Sequence, residues 1–174
     1  MPERITERIL VAGIGNLFLG DDGFGPEAVR VLAAEGGLPD AVRVTDYGIR
    51  GMHLAYDLLE GYRALVLVDA LPGGDSPGLV EVLEVTAADL NTGGGVDAHG
   101  MDPAAMLASL EQLGGALPLT YVVGCRVESC EDTIGLSAPV AAAVPTATVA
   151  IRELVASLCE PSPAGQPAPS AGRR

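Results

Sequence analysis

Apolar positions fall in short blocks along the chain, and the blocks alternate between two spacings. Ile9-Leu10-Val11-Ala12 reads as a buried strand, closed by Gly13-Ile14-Gly15-Asn16. A helix is expected from about Gly25-Pro26, because proline suits the first helical position, where its missing N–H costs nothing. Val29 and Leu32 share one face of that helix. Residues 41–46 alternate like a second strand and run into Tyr47-Gly48. Residues 51–60 have helical spacing, with Leu54 and Leu58 four apart. Residues 64–69 form the clearest strand, apolar on both faces, as in a central parallel strand covered on both sides. After a turn over 71–77, residues 78–85 alternate more regularly and suit an edge strand, with an antiparallel direction open to it. Residues 90–100 are glycine-rich and loop-like. A helix opened by Asp102 or a neighbour places Met106, Leu107, Leu110 and Leu113 at helical spacing. Residues 119–123 are the next strand. The last helical stretch, 138–158, turns Ile151, Leu154, Val155 and Leu158 to the core, and Pro145 should kink or split it.

Strands alternating with helices indicate an open, doubly wound α/β sheet, mostly parallel. Ligands of such sheets collect outside the carboxyl ends of the strands. Asp46 and Asp69 lie at those ends, the Asp21-Asp22 pair lies in the loop after the first strand, and His99 lies in the long loop before the third helix. One domain is expected over 1–159. The Pro-, Ala- and Ser-rich stretch 160–174 buries too little to offset its ordering entropy and should be a disordered tail.

Composition narrows the function. Of 174 residues, 48% are hydrophobic and only 3% aromatic, without tryptophan, so the core must be aliphatic. The net charge of −13 disfavours nucleic acid, whose phosphates call for Lys and Arg, and anionic membrane surfaces. No apolar run approaches the ~20 residues that span a bilayer, and no apolar leader follows the charged residues 1–8. Three cysteines, Cys125, Cys130 and Cys159, without a CxxC pair fit a reducing compartment. A cytoplasmic protein is expected.

Three polar positions could carry chemistry. The loop Gly13-Ile14-Gly15-Asn16-Leu17-Phe18 lacks the third glycine of a dinucleotide fingerprint, where Phe18 stands. Asp21 and Asp22 precede the helix and would repel a phosphate, so this loop asks for a cation; the plain alternative is a helix cap. Asp69 ends an apolar strand, where an ionised carboxylate is costly unless paired, hydrogen-bonded or metal-bound; the alternative is a turn-starting Asp bonded to the backbone of Ala70 or Leu71. His99 is one of two histidines. His53 falls inside a helix and is read as structural or surface, and His99 gains weight only beside Asp22 and Asp69. Together these three make a mixed N/O donor set with open positions, suited to Ni, Zn, Cu or Fe. There is no GxSxG elbow and no HExxH helix. A thiol route through Cys125 or Cys130 with His99 has no local feature that lowers a thiol pKa.

In these motifs the chain resembles the maturation proteases of [NiFe]-hydrogenases, over residues 9 to about 158. The resemblance rests on Gly13-x-Gly15-Asn16, Asp21-Asp22-Gly23-x-Gly25, Asp46-Tyr47-Gly48-Ile49-Arg50-Gly51 and Val68-Asp69-Ala70. It continues through Asp97-Ala98-His99-Gly100, Gly124-x-x-Val127-Glu128-Ser129 and Ile134-Gly135-Leu136-Ser137, all in family order. It implies a three-layer fold, a five-stranded twisted sheet with helices on both faces. It also implies an endopeptidase that removes the C-terminal extension of the hydrogenase large-subunit precursor after nickel insertion. The family's site is a Glu or Asp in the first glycine loop, an Asp ending a central strand, and a His. These map onto Asp22, Asp69 and His99, as catalytic residues and as metal ligands. Substrate contacts are implied for Asn16, Asp21, Asp46 and Gly48; Tyr47 stands where another common form of the motif has Gly. Nickel would come with the nickel-loaded precursor as a recognition handle, with no organic cofactor. Contacts with nucleic acid or membrane are not expected, and a transient contact with the precursor needs no more than a monomer. The competing readings are a non-catalytic nickel-binding adaptor and a nucleotide-binding Rossmann-like module, which Asp21 and Asp22 oppose.

Overall fold

A computed structural model describes residues 7–91, 102–128 and 130–160. The sequence positions 92–101, which include His99, and the tail 161–174 lie outside the described residues. Five strands, β1 (Ile9–Ile14), β2 (Val42–Gly48), β3 (Ala64–Leu71), β4 (Val80–Val85) and β5 (Leu119–Arg126), form one sheet in the order β2-β1-β3-β5-β4. All neighbours run parallel except β4, which pairs antiparallel with β5 at the edge. That agrees with the antiparallel edge strand expected at 78–85, although adjacent Val82 and Leu83 are both exposed, so its burial does not alternate cleanly.

The pleat divides the core in two. Ile9, Val11, Val66 and Val68 pack under α1 (Phe24–Glu35) and α5 (Ala138–Cys159). Leu10, Ala12, Leu65 and Leu67 pack under α2 (Gly51–Leu58), α3 (Ala87–Asn91) and α4 (Pro103–Gln112). Every residue of β1 and of β3 is buried, because side chains that alternate across a central strand meet a helix layer either way. From β1 the chain crosses to β2 on one side and later returns to β3 on the other. The strand order therefore reverses between β1 and β3, the place where such sheets open a crevice.

Several boundaries differ from those the sequence suggests. β3 runs on to Leu71, so Asp69 sits inside the strand rather than ending it. Residues Leu90 and Asn91 belong to α3 instead of a loop. Thr86 and Asp89 nucleate that turn reciprocally, the Thr86 N–H donating to Asp89 Oδ2 at 2.7 Å and the Asp89 N–H to Thr86 Oγ1 at 3.4 Å. Asp102 does cap α4, accepting from the Ala104 N–H at 2.9 Å, but Leu113 is largely exposed. Helix α5 is continuous through Pro145. Pro145 and Ala141, whose carbonyl loses its partner, both lie on the exposed side, where water can replace the missing bond. By length and composition α5 is apolar enough to cross a membrane; here Val144, Ala147, Ile151 and Val155 are buried against the sheet.

Candidate active site

The crevice is furnished by the loop after β1. Gly15 has φ of 140° and a Cβ there would land on the Asp22 carbonyl oxygen, so the loop can double back only over bare backbone. The Asn16 N–H donates to Asp22 Oδ2 at 2.7 Å, and Asn16 Oδ1 accepts from the Phe18 N–H at 2.9 Å. A single 3-10 turn, Gly20–Gly23, carries Asp21 and Asp22 into the interior, both buried. A Cβ on Gly25 would collide with the carbonyl oxygens of Ile14 and Val68, so α1 begins directly against the ends of β1 and β3. The cap position of α1 is Gly23, which rules out either acid as the helix N-cap residue.

Asp69 approaches from β3 and is 0% exposed. Its Oδ1 accepts the N–H of Ala70 at 2.8 Å, the backbone bond foreseen for a turn, although the chain here is extended strand. Its Oδ2 is buried and has no hydrogen-bond partner among the described residues. Burial pushes the Asp69 carboxyl well above its ordinary pKa of 3.8, and the negative charge of Asp22 pushes it further; the Ala70 N–H opposes this and loses. Native interiors rarely leave a buried carboxyl oxygen unpaired. A divalent cation beside Asp22 and Asp69 would supply the missing partner and make ionisation of Asp69 favourable. Two carboxylates suit such an ion, and an imidazole would bias it toward nickel or zinc. Among the described residues no group of three His, Cys, Asp or Glu side chains stands close enough to hold a metal. An ion held by this pair would need further ligands beyond these two carboxylates.

Asp21 is tied into the fold. Its Oδ1 accepts the Ser137 N–H at 2.7 Å, and its Oδ2 accepts the Glu128 N–H at 2.9 Å and the Ser137 hydroxyl at 2.8 Å. Buried and engaged on both oxygens, it fastens the first loop to the segment before α5. Ser137 precedes α5 yet makes no cap bond with its side chain; its hydroxyl serves Asp21 instead. Its sequence position suggests only a helix cap. Asp46 and Gly48 stand at the neighbouring edge. Asp46, exposed, accepts the Gly48 N–H at 2.8 Å, and the Gly48 carbonyl accepts the Gly15 N–H at 3.0 Å. Asn16 and Asp46 keep some exposure at the rim. Tyr47 turns inward and is almost fully buried.

The thiols do not look like nucleophiles. Burial, then the charge of Asp21, pushes Cys125 up to about 11. Burial, then Asp22 and Asp21, raises Cys130 as well. A cysteine nucleophile needs the opposite environment. His53 is exposed on α2, as its helical position suggested.

A doubly wound sheet with two buried acids across its switch point defines a class of enzyme only together with its relatives. A family description, hydrogenase maturation protease, matches residues 26–154. The chain is 33% identical over 150 residues to the hydrogenase expression/formation protein HupD of Rhizobium leguminosarum bv. viciae, covering 84% of this chain and 74% of that one. It is 32% identical to the hydrogenase 2 maturation protease of Escherichia coli K12, over 88% of this chain and 92% of that protein. The structure of the hydrogenase maturating endopeptidase HybD from E. coli superposes with a TM-score of 0.74 at 29% identity, covering 86% of this chain and 93% of that one. The chain belongs to the hydrogenase maturation protease family and is an endopeptidase of that kind.

Proposed function

We propose that this enzyme removes the C-terminal extension of a [NiFe]-hydrogenase large-subunit precursor after nickel has been inserted, reading the nickel as proof of loading. The observation that carries the reading is the buried Asp69 carboxyl, facing the charge of Asp22 with one oxygen unpartnered. A cation that belonged permanently to the enzyme would want a complete cage. Few ligands from the enzyme leave most positions around an ion to its carrier, which suits an ion that arrives with the substrate and leaves with it. Asp22, Asp69 and His99 are its proposed ligands on the enzyme side, and Asn16 and Asp46 are proposed rim contacts for the precursor.

Hydrolysis adds water across one amide bond. A carboxylate of the pair takes the water proton as general base, and that proton ends on the leaving amine. Nickel held by the substrate supplies positive charge at the crevice, which keeps Asp69 ionised for the turnover. The same reading places the enzyme in the cytoplasm as a monomer, where it meets a transient partner.

Intact mass spectrometry of purified precursor, mixed with the enzyme, tests this. Nickel-loaded precursor should lose the mass of its C-terminal extension while nickel-free precursor stays whole. Equal cleavage of both forms would overturn the recognition role of nickel. Stable binding of the loaded precursor without mass loss would instead match an adaptor.

A further inference from the structure

The loop that delivers the acid pair also walls an apolar groove. The groove, of about 530 Å³, lies between α1 and the N-terminal half of α5, with Leu17, Val31, Ile134, Leu136, Val144 and Pro145 on its walls. Gly20 and Gly23, which flank Asp21-Asp22 in the chain, line it too. Its two lips are tied together by backbone. Leu19 and Thr133 form a parallel bridge, and the Gly20 N–H donates to the Thr133 carbonyl at 2.7 Å. Asp21 adds the bonds to Glu128 and Ser137. The groove is thus held in fixed register with Asp22.

Its lips expose more apolar surface than a monomer needs. Leu17 is 49% and Ile134 78% exposed, and Phe18, next to Leu17 in the chain, is 68% exposed. A rimmed apolar patch of this kind marks a contact site. In a chain of net charge −13 the groove is also electrically quiet. The only ionisable side chain among its lining residues is Glu27, and it is neutralised by Arg30 at 2.6 Å. The volume is in the range of small-ligand pockets, and the lining suits an aliphatic side chain.

Resting on the proposed function, we infer that this groove is a specificity subsite of the peptidase, which seats an aliphatic side chain of the precursor polypeptide near the scissile bond. Continuity points to the occupant: Leu17, Gly20 and Gly23, from the loop that carries Asp22, also line the groove, so a chain reaching Asp22 runs beside it. Burial of that side chain helps bind the precursor before and during cleavage, so it acts on affinity for the polypeptide rather than on the chemistry.

Two variants in the lining test the subsite. Ala141→Trp fills the groove from an exposed position on α5, and Ile134→Asp charges the exposed lip before α5. Steady-state cleavage of nickel-loaded precursor should show KM raised about tenfold in each, the effect of one aliphatic side chain left unburied, with kcat close to wild type. In a second arm, methyl-labelled full-length enzyme is titrated with a synthetic peptide copying the C-terminal extension and the residues just before it. Val31, Ile134 and Val144 methyl signals should move in the wild type and stay still in Ala141→Trp. Unchanged KM in both variants, or peptide shifts confined to another surface, would overturn the subsite. So would concentration-dependent shifts at these methyls without peptide, which would mark an interface between copies. A wild-type enzyme that cuts no loaded precursor would instead overturn the proposed function, and the peptide arm would still judge the groove.

Discussion

Asp21 and Asp69 are both buried aspartates at the same edge of the sheet, and they have opposite fates. Asp21 accepts from two backbone N–H groups and one hydroxyl, all on the segment before α5. Asp69 accepts from its own neighbour and leaves Oδ2 unpartnered among the described residues. A buried carboxylate that is fully hydrogen-bonded contributes to the fold, because removing it strands its donors. One that is half satisfied opposes the fold and is retained for something else. That contrast separates a structural acid from a functional one where burial alone cannot.

The contrast can be pressed from its largest consequence downward. Asp21→Ala should destabilise the enzyme by about 3 kcal/mol, since three bonds to a charged group are lost and buried donors are left unpaired. Urea unfolding followed by circular dichroism would measure it, and a change near zero would erase the distinction.

Asp69→Asn should move stability the other way, raising it by about 1–3 kcal/mol at pH 7 in the presence of a chelator. The sign follows from the raised pKa. Above pH 3.8 the unfolded chain ionises this carboxyl while the folded chain still binds its proton, so wild-type stability falls as pH rises from there toward the folded pKa. Below pH 3.8 both states are protonated and the advantage of Asn should vanish. Thermal melts of the two proteins across that range would show the gap opening with pH.

Ser137→Ala should cost only about 1 kcal/mol, because the backbone donors to Asp21 remain. A loss as large as that of Asp21→Ala would mean that the hydroxyl, and not the carboxylate, is the centre of the tie.

Much of the scaffold was legible in the sequence. β1 and β3 show as unbroken apolar runs because both faces are covered, and β4 shows as an edge because Glu81 and Glu84 interrupt its apolar positions. The strand order then places Asp22 and Asp69 at one crevice, since both sit near strand ends that flank the reversal between β1 and β3. The roles of Asp21 and Asp22 were not legible. Adjacent identical residues have identical local chemistry, and only the position of Ser137, far along the chain, decides which one is consumed by the fold. Pro145 does not split α5, because its missing bond falls on the wet side of the helix, which no local rule reveals. The reciprocal Thr86–Asp89 cap was readable, but the glycine run beyond it pointed to a loop. His99 lies outside the described residues, so its place in the site rests on the sequence motif.

The most direct test of the central claim is processing by Asp69→Asn. Purified, nickel-loaded precursor is incubated with wild type or variant and followed by intact mass. The wild type should release the C-terminal extension. The variant, folded and at least as stable, should leave the precursor whole. Release by Asp69→Asn at the wild-type rate would contradict the account, because the unpartnered carboxyl would then have no function to explain its burial.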